Sequence, residues 1–216
     1  MQRLRICFAR RGGARYLSHL ELMRLWERAL RRAGLRVAHS HGYNPHPKLS
    51  FAAALPVGVA GDAELLEVQL ESSREPAQVA HDLAARLPEG VEVRSVEEVP
   101  PGAPVLQRIL RAAEYVALCP SETDGERLRH EAERLLSASS LPRERRTEDR
   151  VRTYDLRPLI QRLEVVQDEA GRVQVKMQLR ADTQGAGRPD EVLREMGIDP
   201  ADCDITRTRL LLAEEE

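Results

Sequence analysis

Residues Leu4–Gly34 read LRICFARRGGARYLSHLELMRLWERALRRAG. Leu4–Phe8 predicts a first strand, and Arg10-Arg11-Gly12-Gly13-Ala14-Arg15 a basic loop after it. Ser18 starts a helix, with Glu21 three residues later as its capping-box partner. Leu22, Leu25, Trp26, Ala29 and Ala33 make an apolar stripe at helical spacing. Gly34 supplies the stop. A strand that feeds an amphipathic helix opens a mixed α and β fold.

The rest of the first half completes the unit. A short strand is predicted around Arg36–Ala38, then the loop His39–Lys48 and an extended segment at Ser50–Leu55. Pro56–Asp62 turns, and Glu64–Leu70 alternates as a strand. Residues 75–87 predict a second helix with Val79, Leu83, Ala84 and Leu87 inward. Val91–Val96 is a closing strand. Val99-Pro-Pro-Gly-Ala-Pro104 breaks the pattern and marks the domain boundary.

The second half follows a similar order. Ala113–Cys119 is predicted as a strand and Glu122–Leu136 as a helix capped by Ser121. Extended segments are expected near Leu141–Arg145 and Arg152–Leu156. Gln161–Gln167 and Arg172–Arg180 form a hairpin around Asp168–Gly171. Pro189–Met196 is a short helix with proline first and acids in its first turn. Ile205–Leu212 closes the sheet. Each half reads β-α-β-β-α-β. The expected fold is α+β, two tandem ferredoxin-like domains with antiparallel sheets, at residues 1–104 and 105–216. No residue-level repeat accompanies the repeated pattern.

Charge divides the chain differently. The 216 residues are 42% hydrophobic and 31% charged, with a net charge of -2. Residues 1–60 hold eleven bases, ten Arg and Lys48, against Glu21 and Glu27, a balance of +9. Residues 61–216 hold 22 bases against 33 acids, a balance of −11. Residues 61–98 add three bases and ten acids, so the basic charge is a patch on the first domain rather than its whole surface. Such a patch reads as an anion-binding surface.

Several classes are excluded. Phe51–Ala60, the longest nearly apolar stretch, is far shorter than the ~18–20 residues of a membrane span, so no membrane partner is expected. Met1–Cys7 has no continuous apolar signal core, and the expected location is cytoplasmic. Cys7, Cys119 and Cys203 are few and far apart, which argues against a disulfide framework and against zinc or iron–sulfur binding. No Walker lysine motif or GxSxG elbow is present.

Two constellations carry the candidate chemistry. Arg24, Arg28 and Arg31 stand at i, i+4 and i+7 on one helix face. With Arg10, Arg11 and Arg15 just upstream they form a candidate phosphate-binding surface. The bland alternative is a solvated face opposite the core stripe. The second is His39-Ser40-His41-Gly42-Tyr43-Asn44-Pro45-His46-Pro47-Lys48. Its two prolines stiffen it, and Asn44 before Pro45 is held extended. His41, Tyr43, Asn44, His46 and Lys48 suit RNA, with Tyr43 stacking on a base and the others on phosphate or base edges. His46 is also the candidate general acid or base if the chain is an enzyme. No Asp, Glu or Cys beside His39, His41 and His46 completes a metal site, so no metal or cofactor is expected. A rigid loop whose polar groups satisfy backbone is the remaining reading.

Lesser features have simpler accounts. Ser18 is a cap. His19 lies in the first turn of the helix and is read as a surface residue unless the fold brings it beside His46. Thr183–Pro189 is a connection. Asp155 and Arg157 are expected to pair.

Tyr16-Leu-Ser-His-Leu-Glu-Leu-Met-Arg24, Arg28-Ala-Leu-Arg-Arg-Ala-Gly34, Gly42-Tyr-Asn-Pro-His-Pro-Lys-Leu-Ser-Phe51, Leu55-Pro-Val-Gly58 and Asp155-Leu-Arg-Pro158 resemble the radical-SAM-linked protein family. The resemblance spans most of the chain, and the Asn-Pro-His-Pro loop is its most specific part. Gly61 departs from it, since the resemblance implies Ser there. It implies a radical SAM protein as partner, and the absence of radical SAM cysteines implies a separate accessory chain. The expected function is an accessory RNA-binding module, with tRNA or rRNA as ligand, that acts with that enzyme in RNA or ribosome modification. A metal-independent endoribonuclease using His46 and a purely structural docking partner are the alternatives. The reading favours a non-catalytic partner.

Overall fold

A computed structural model describes residues 1–147 and 150–213. The protein is α+β, with mostly antiparallel strands. It divides into two compact units, Met1–Leu110 with Leu212 and Ala213, and Arg111–Leu211.

The first unit runs β1 (Gln2–Arg10), α1 (His19–Arg32), β2 (Leu49–Phe51), β3 (Ala60–Leu70), α2 (Pro76–Ala84) and β4 (Val91–Glu98). Its strands lie in the order β2-β3-β1-β4, and each neighbouring pair is antiparallel. Side chains along β1 alternate between faces, as a pleated strand requires. Leu4, Ile6 and Phe8 are fully buried. On the alternate positions Arg3 and Arg5 reach Glu67 on β3, at 3.9 and 3.0 Å. The buried side of β1 meets the predicted stripe of α1. Leu22, Leu25, Trp26, Ala29 and Leu30 join Leu4, Ile6, Phe8, Leu66, Val68 and Leu70 in one core. Trp26 is wholly buried, with its ring edge-on to Phe8 at 4.9 Å. Truncating it to alanine would cost about 3–5 kcal/mol of stability.

Both ends of α1 follow local rules. Ser18 accepts from the Glu21 backbone, and the Glu21 carboxylate returns to Ser18, completing the capping box. Gly34 adopts φ 70°, Leu35 N donates to Leu30 O at 3.0 Å, and Gly34 N donates to Arg31 O at 3.1 Å. That is the Schellman closure, and the left-handed residue is the glycine.

Some expectations change. The second helix spans Pro76–Ala84, and Ala84 is exposed rather than inward, since Val79 and Leu83 already face the sheet. Arg36–Ala38 forms a single bridge, Val37 to Leu70, instead of a strand. Gly61 has a packing reason. A Cβ there would lie 2.6 Å from Glu64 Cγ, so the serine of the resemblance would force the Glu64 side chain aside.

The second unit holds β5 (Leu110–Leu118), α4 (Gly125–Ser137), β6 (Pro142–Thr147), β7 (Arg150–Asp155), β8 (Ile160–Gln167), β9 (Val173–Asp182), β10 (Gly185–Ala186), α5 (Pro189–Glu195) and β11 (Asp204–Leu212). One further helix, α3 (Leu106–Ile109), closes the first unit ahead of β5 and was not expected. β9 pairs antiparallel with β5 on one edge and with β8 and β10 on the other, and β11 lies beyond β5. β6 and β7 form a separate two-stranded hairpin. The cap of α4 is Asp124, not Ser121: its carboxylate accepts from the Glu126 and Arg127 backbones. Asp155 does not pair with the Arg157 side chain. It accepts from the Leu141 and Arg157 backbone N–H groups, while the Arg157 guanidinium donates to Leu136 O and Ile160 O.

Among the described residues no helix is long and apolar enough to cross a membrane.

Candidate nucleic-acid interface

The direction of β1 sorts the basic residues of the first unit into two groups. β1 ends at Arg10, and α1 starts beside that end and runs back. It finishes at the end where β1 starts and β3 stops.

At the first end the arginines are structural. Arg10 is fully buried, so its expected place on an anion-binding surface is corrected. Its guanidinium donates to Leu17 O, Arg15 O, Pro56 O and Val59 O at 3.0–3.3 Å. The planar fork thereby ties the Gly12–Tyr16 turn to the turn that follows β2. Arg11 pairs with Asp62 at 2.7 Å. Arg15 donates to Gly58 O at 2.7 Å, and its guanidinium carbon lies 5.4 Å from the centre of the Tyr16 ring. The expected grouping of these three with the helix face does not form.

Along α1 and beyond its end the arginines are different. Arg24, Arg28, Arg31, Arg32 and Arg36 are exposed. Among the described residues none of them has an ion pair or a side-chain hydrogen bond. Glu21, one of the two acids of α1, is engaged with Ser18 at 2.7–2.8 Å. Those two hydrogen bonds, with a smaller contribution from Arg24, hold its carboxyl below the ordinary carboxylate range. Arg32 and Arg36 were not singled out from the sequence as ligand-binding. Arg32 stands in the last turn of α1, where a cation is also explained by the helix dipole, and Arg36 lies four residues past it.

The histidine-rich loop leaves the same end. Ala38 N donates to Gln69 O, Lys48 N to Ala38 O and Gln69 N to Lys48 O, at 2.7–2.9 Å, and so its base is fastened to β3. A bridge joins His39 to Pro47. Above it Ser40 N donates to His46 O at 2.8 Å, and His46 N donates to the Ser40 hydroxyl at 2.9 Å. The clasp closes a tip of His41, Gly42, Tyr43, Asn44 and Pro45. Gly42 takes φ 141°, a conformation that side chains disfavour. His41, Tyr43, Asn44 and His46 are exposed and Lys48 is half-buried. Tyr43 is 101% exposed, an extended aromatic with no covering surface. None of these five side chains has a hydrogen-bond or ion-pair partner among the described residues.

His19 does not meet His46. It stands edge-on to Phe51 at 5.4 Å. Among the described residues no three of His, Cys, Asp and Glu come close enough together to hold a metal ion. The arrangement is a fixed backbone presenting unpaired cations, imidazoles and one aromatic ring.

The fold and this end define a small α+β protein with a localised cationic surface. Its sequence places it in a family: the chain belongs to the one described as "Uncharacterized protein conserved in bacteria (DUF2344)", whose model matches residues 3–189. No curated protein matches the sequence. A solved structure of a Cbf5-Nop10-Gar1 complex is similar at 14% identity and a TM-score of 0.49. That match covers 98% of this chain and 50% of the other, so the chain spans half of that protein's length. A protein assigned as a glycine cleavage system transcriptional repressor is more distant, at 11% identity and a TM-score of 0.24 over 98% of both chains.

Proposed function

We propose that this protein is an accessory RNA-binding module, built of two ferredoxin-like units, that works with a radical SAM enzyme in RNA or ribosome modification. The ferredoxin-like reading is supported by order and adjacency. The first unit runs β-α-β-β-α-β with strands in the order β2-β3-β1-β4. In the second unit β5, α4, β8, β9, α5 and β11 follow the same plan, with the β6–β7 hairpin inserted.

One observation carries the RNA reading. Arg24, Arg28, Arg31, Arg32 and Arg36 stand exposed and unpaired among the described residues, at α1 and beside a clasped loop that carries Tyr43 and Lys48. Guanidinium groups bind phosphate bidentately, and each neutralised phosphate releases counterions. An exposed tyrosine offers a stacking platform to an unpaired base. Histidine and asparagine at the tip add donors for phosphate or base edges. Separation of phosphate contacts on the helix from a stacking contact on the loop fits a single-stranded or looped RNA better than a duplex.

The test is RNA binding measured across a salt series. The affinity should fall steeply with salt, and Arg24→Glu, Arg28→Glu and Arg31→Glu together should lower the slope by about 2 on a log–log plot. Binding that ignores both salt and the three substitutions contradicts the proposal. RNA shortened during the same incubation, and spared by His46→Ala, would replace the binding reading with the ribonuclease one. Co-purification of the wild-type chain with its radical SAM partner tests the second half of the proposal; failure of the two purified proteins to associate, with or without RNA, removes it.

A further inference from the structure

Cys119 and Cys203 are distant in sequence and adjacent in space. Cys119 immediately follows β5, and Cys203 immediately precedes β11, its neighbour in the sheet. The Thr208 hydroxyl on β11 donates to Glu114 O on β5 at 3.3 Å. Cys119 lies five residues further along β5, and Cys203 five residues back along β11. Equal steps from that contact, in opposite chain directions, lead to the two cysteines. Each thiol is the other's first electrostatic influence. Each sulfur also lies near a backbone carbonyl of its own segment, Cys119 Sγ at 4.0 Å from Ala117 O and Cys203 Sγ at 3.9 Å from Asp199 O. Both residues are buried, at 4% and 6% exposure.

We infer that Cys119 and Cys203 form a reversible two-electron redox site, a dithiol that a small hydroperoxide closes to a cross-strand disulfide. Opposed strand positions fall within the Cα separation of about 4.4–6.8 Å that a disulfide spans. Burial restricts the oxidant to a molecule of the size of hydrogen peroxide.

The two sulfurs have different tasks. The neighbouring Cys203 lowers the pKa of Cys119, against the opposing effect of burial. Cys119, then burial, keep the proton on Cys203, and the charges of Asp202 and Asp199 act in the same direction. Cys119 is therefore the nucleophile. Its thiolate attacks one oxygen of the peroxide and the O–O bond breaks. The departing hydroxide leaves as water with the proton that Cys119 gave up, and Cys119 becomes a sulfenic acid. The Cys203 sulfur then displaces the hydroxyl from Cys119, and the Cys203 proton leaves with it as a second water. Two thiols lose two electrons, and one hydrogen peroxide becomes two waters. A small dithiol reverses the step by exchange.

Cys7 is the internal control. It lies in the first unit, half-buried, and burial followed by the Glu64 charge raises its pKa. The experiment treats the full folded chain with hydrogen peroxide and counts free thiols, with peptide mass mapping. The expected result is a fall from three free thiols to one, with the 119–203 peptide pair lighter by two hydrogens and restored by dithiothreitol. Cys203→Ser should trap the sulfenic acid on Cys119 as a dimedone adduct, and Cys119→Ser should give no adduct on Cys203. Three free thiols in the native chain, or oxidation that takes Cys7 first and leaves the pair reduced, overturns the inference and leaves the two cysteines as core packing. The wild-type thiol count decides the matter even where a serine variant does not fold.

Discussion

The first unit has arginines at both ends, and they do opposite things. At the end where β1 finishes, Arg10 is buried with its guanidinium on four carbonyl oxygens, Arg11 holds Asp62, and Arg15 holds Gly58 O. Along α1 and past its far end, Arg24, Arg28, Arg31, Arg32 and Arg36 have no such partner among the described residues. An arginine with its donors already used by the fold has little to offer a phosphate. The same residue type therefore reports stability at one end and ligand binding at the other. Local charge density in the sequence does not distinguish them, because the distinction lies in where the neighbouring carbonyls are.

The largest effect that separates the ends is on stability. Arg10→Ala leaves the carbonyls of Leu17, Arg15, Pro56 and Val59 without that donor. An unsatisfied buried acceptor costs about 1–3 kcal/mol, so the variant should lose about 3 kcal/mol or more in denaturant unfolding. A loss under about 0.5 kcal/mol would erase the distinction. The charge-reversed helix, with Arg24, Arg28 and Arg31 all Glu, should do the reverse. Its unfolding free energy should fall by about 1 kcal/mol, the cost of a last-turn cation lost at Arg31 and of new repulsion with Glu27, while RNA affinity falls at least roughly ten-fold. Smaller again is Tyr43→Ala. Loss of one stacked base is worth about 1–3 kcal/mol in binding, and the fully exposed ring contributes nothing measurable to folding. Equal RNA affinity in this variant would remove the stacking part of the account.

The smallest effect concerns pH. Glu21 carries its charge to lower pH in the folded chain because Ser18 hydrogen-bonds it. Its carboxyl is lowered by folding, so the capping box supports α1 above the ordinary carboxylate range. That support is lost as pH falls through the lowered folded value. The difference in melting temperature between wild type and Glu21→Ala should be present at neutral pH and shrink toward zero in acid. A difference that grows in acid would reverse the assignment.

Features governed by near neighbours were legible in the sequence. Ser18, Glu21 and Gly34 bound α1 because capping and the Schellman turn use residues within six positions of each other. The stripe of Leu22, Leu25, Trp26 and Ala29 is buried because helical period alone sets its face. What depended on tertiary contact was not legible. Nothing local says that Arg10 turns inward or that Asp155 reaches the Leu141 amide. The choice of Asp124 over Ser121 as the cap of α4 lies between two nearby residues of types that both cap well. The candidate loop was visible as a dense run of histidine, tyrosine and proline. Its clasp, by which Ser40 and His46 hold the tip open, was not. The nearness of Cys119 to Cys203 was invisible for the same reason, since only the adjacency of β5 and β11 joins them.

The central claim is that RNA meets the first unit along α1 and the clasped loop, and not at the Arg10 end or on the second unit. Ultraviolet crosslinking of the full chain to cellular RNA, with the modified peptides mapped, tests it most directly. The account predicts crosslinks within residues 24–48, with Tyr43 the foremost. Crosslinks confined to residues 10–16 or to residues 111–211, or none above background, would contradict it.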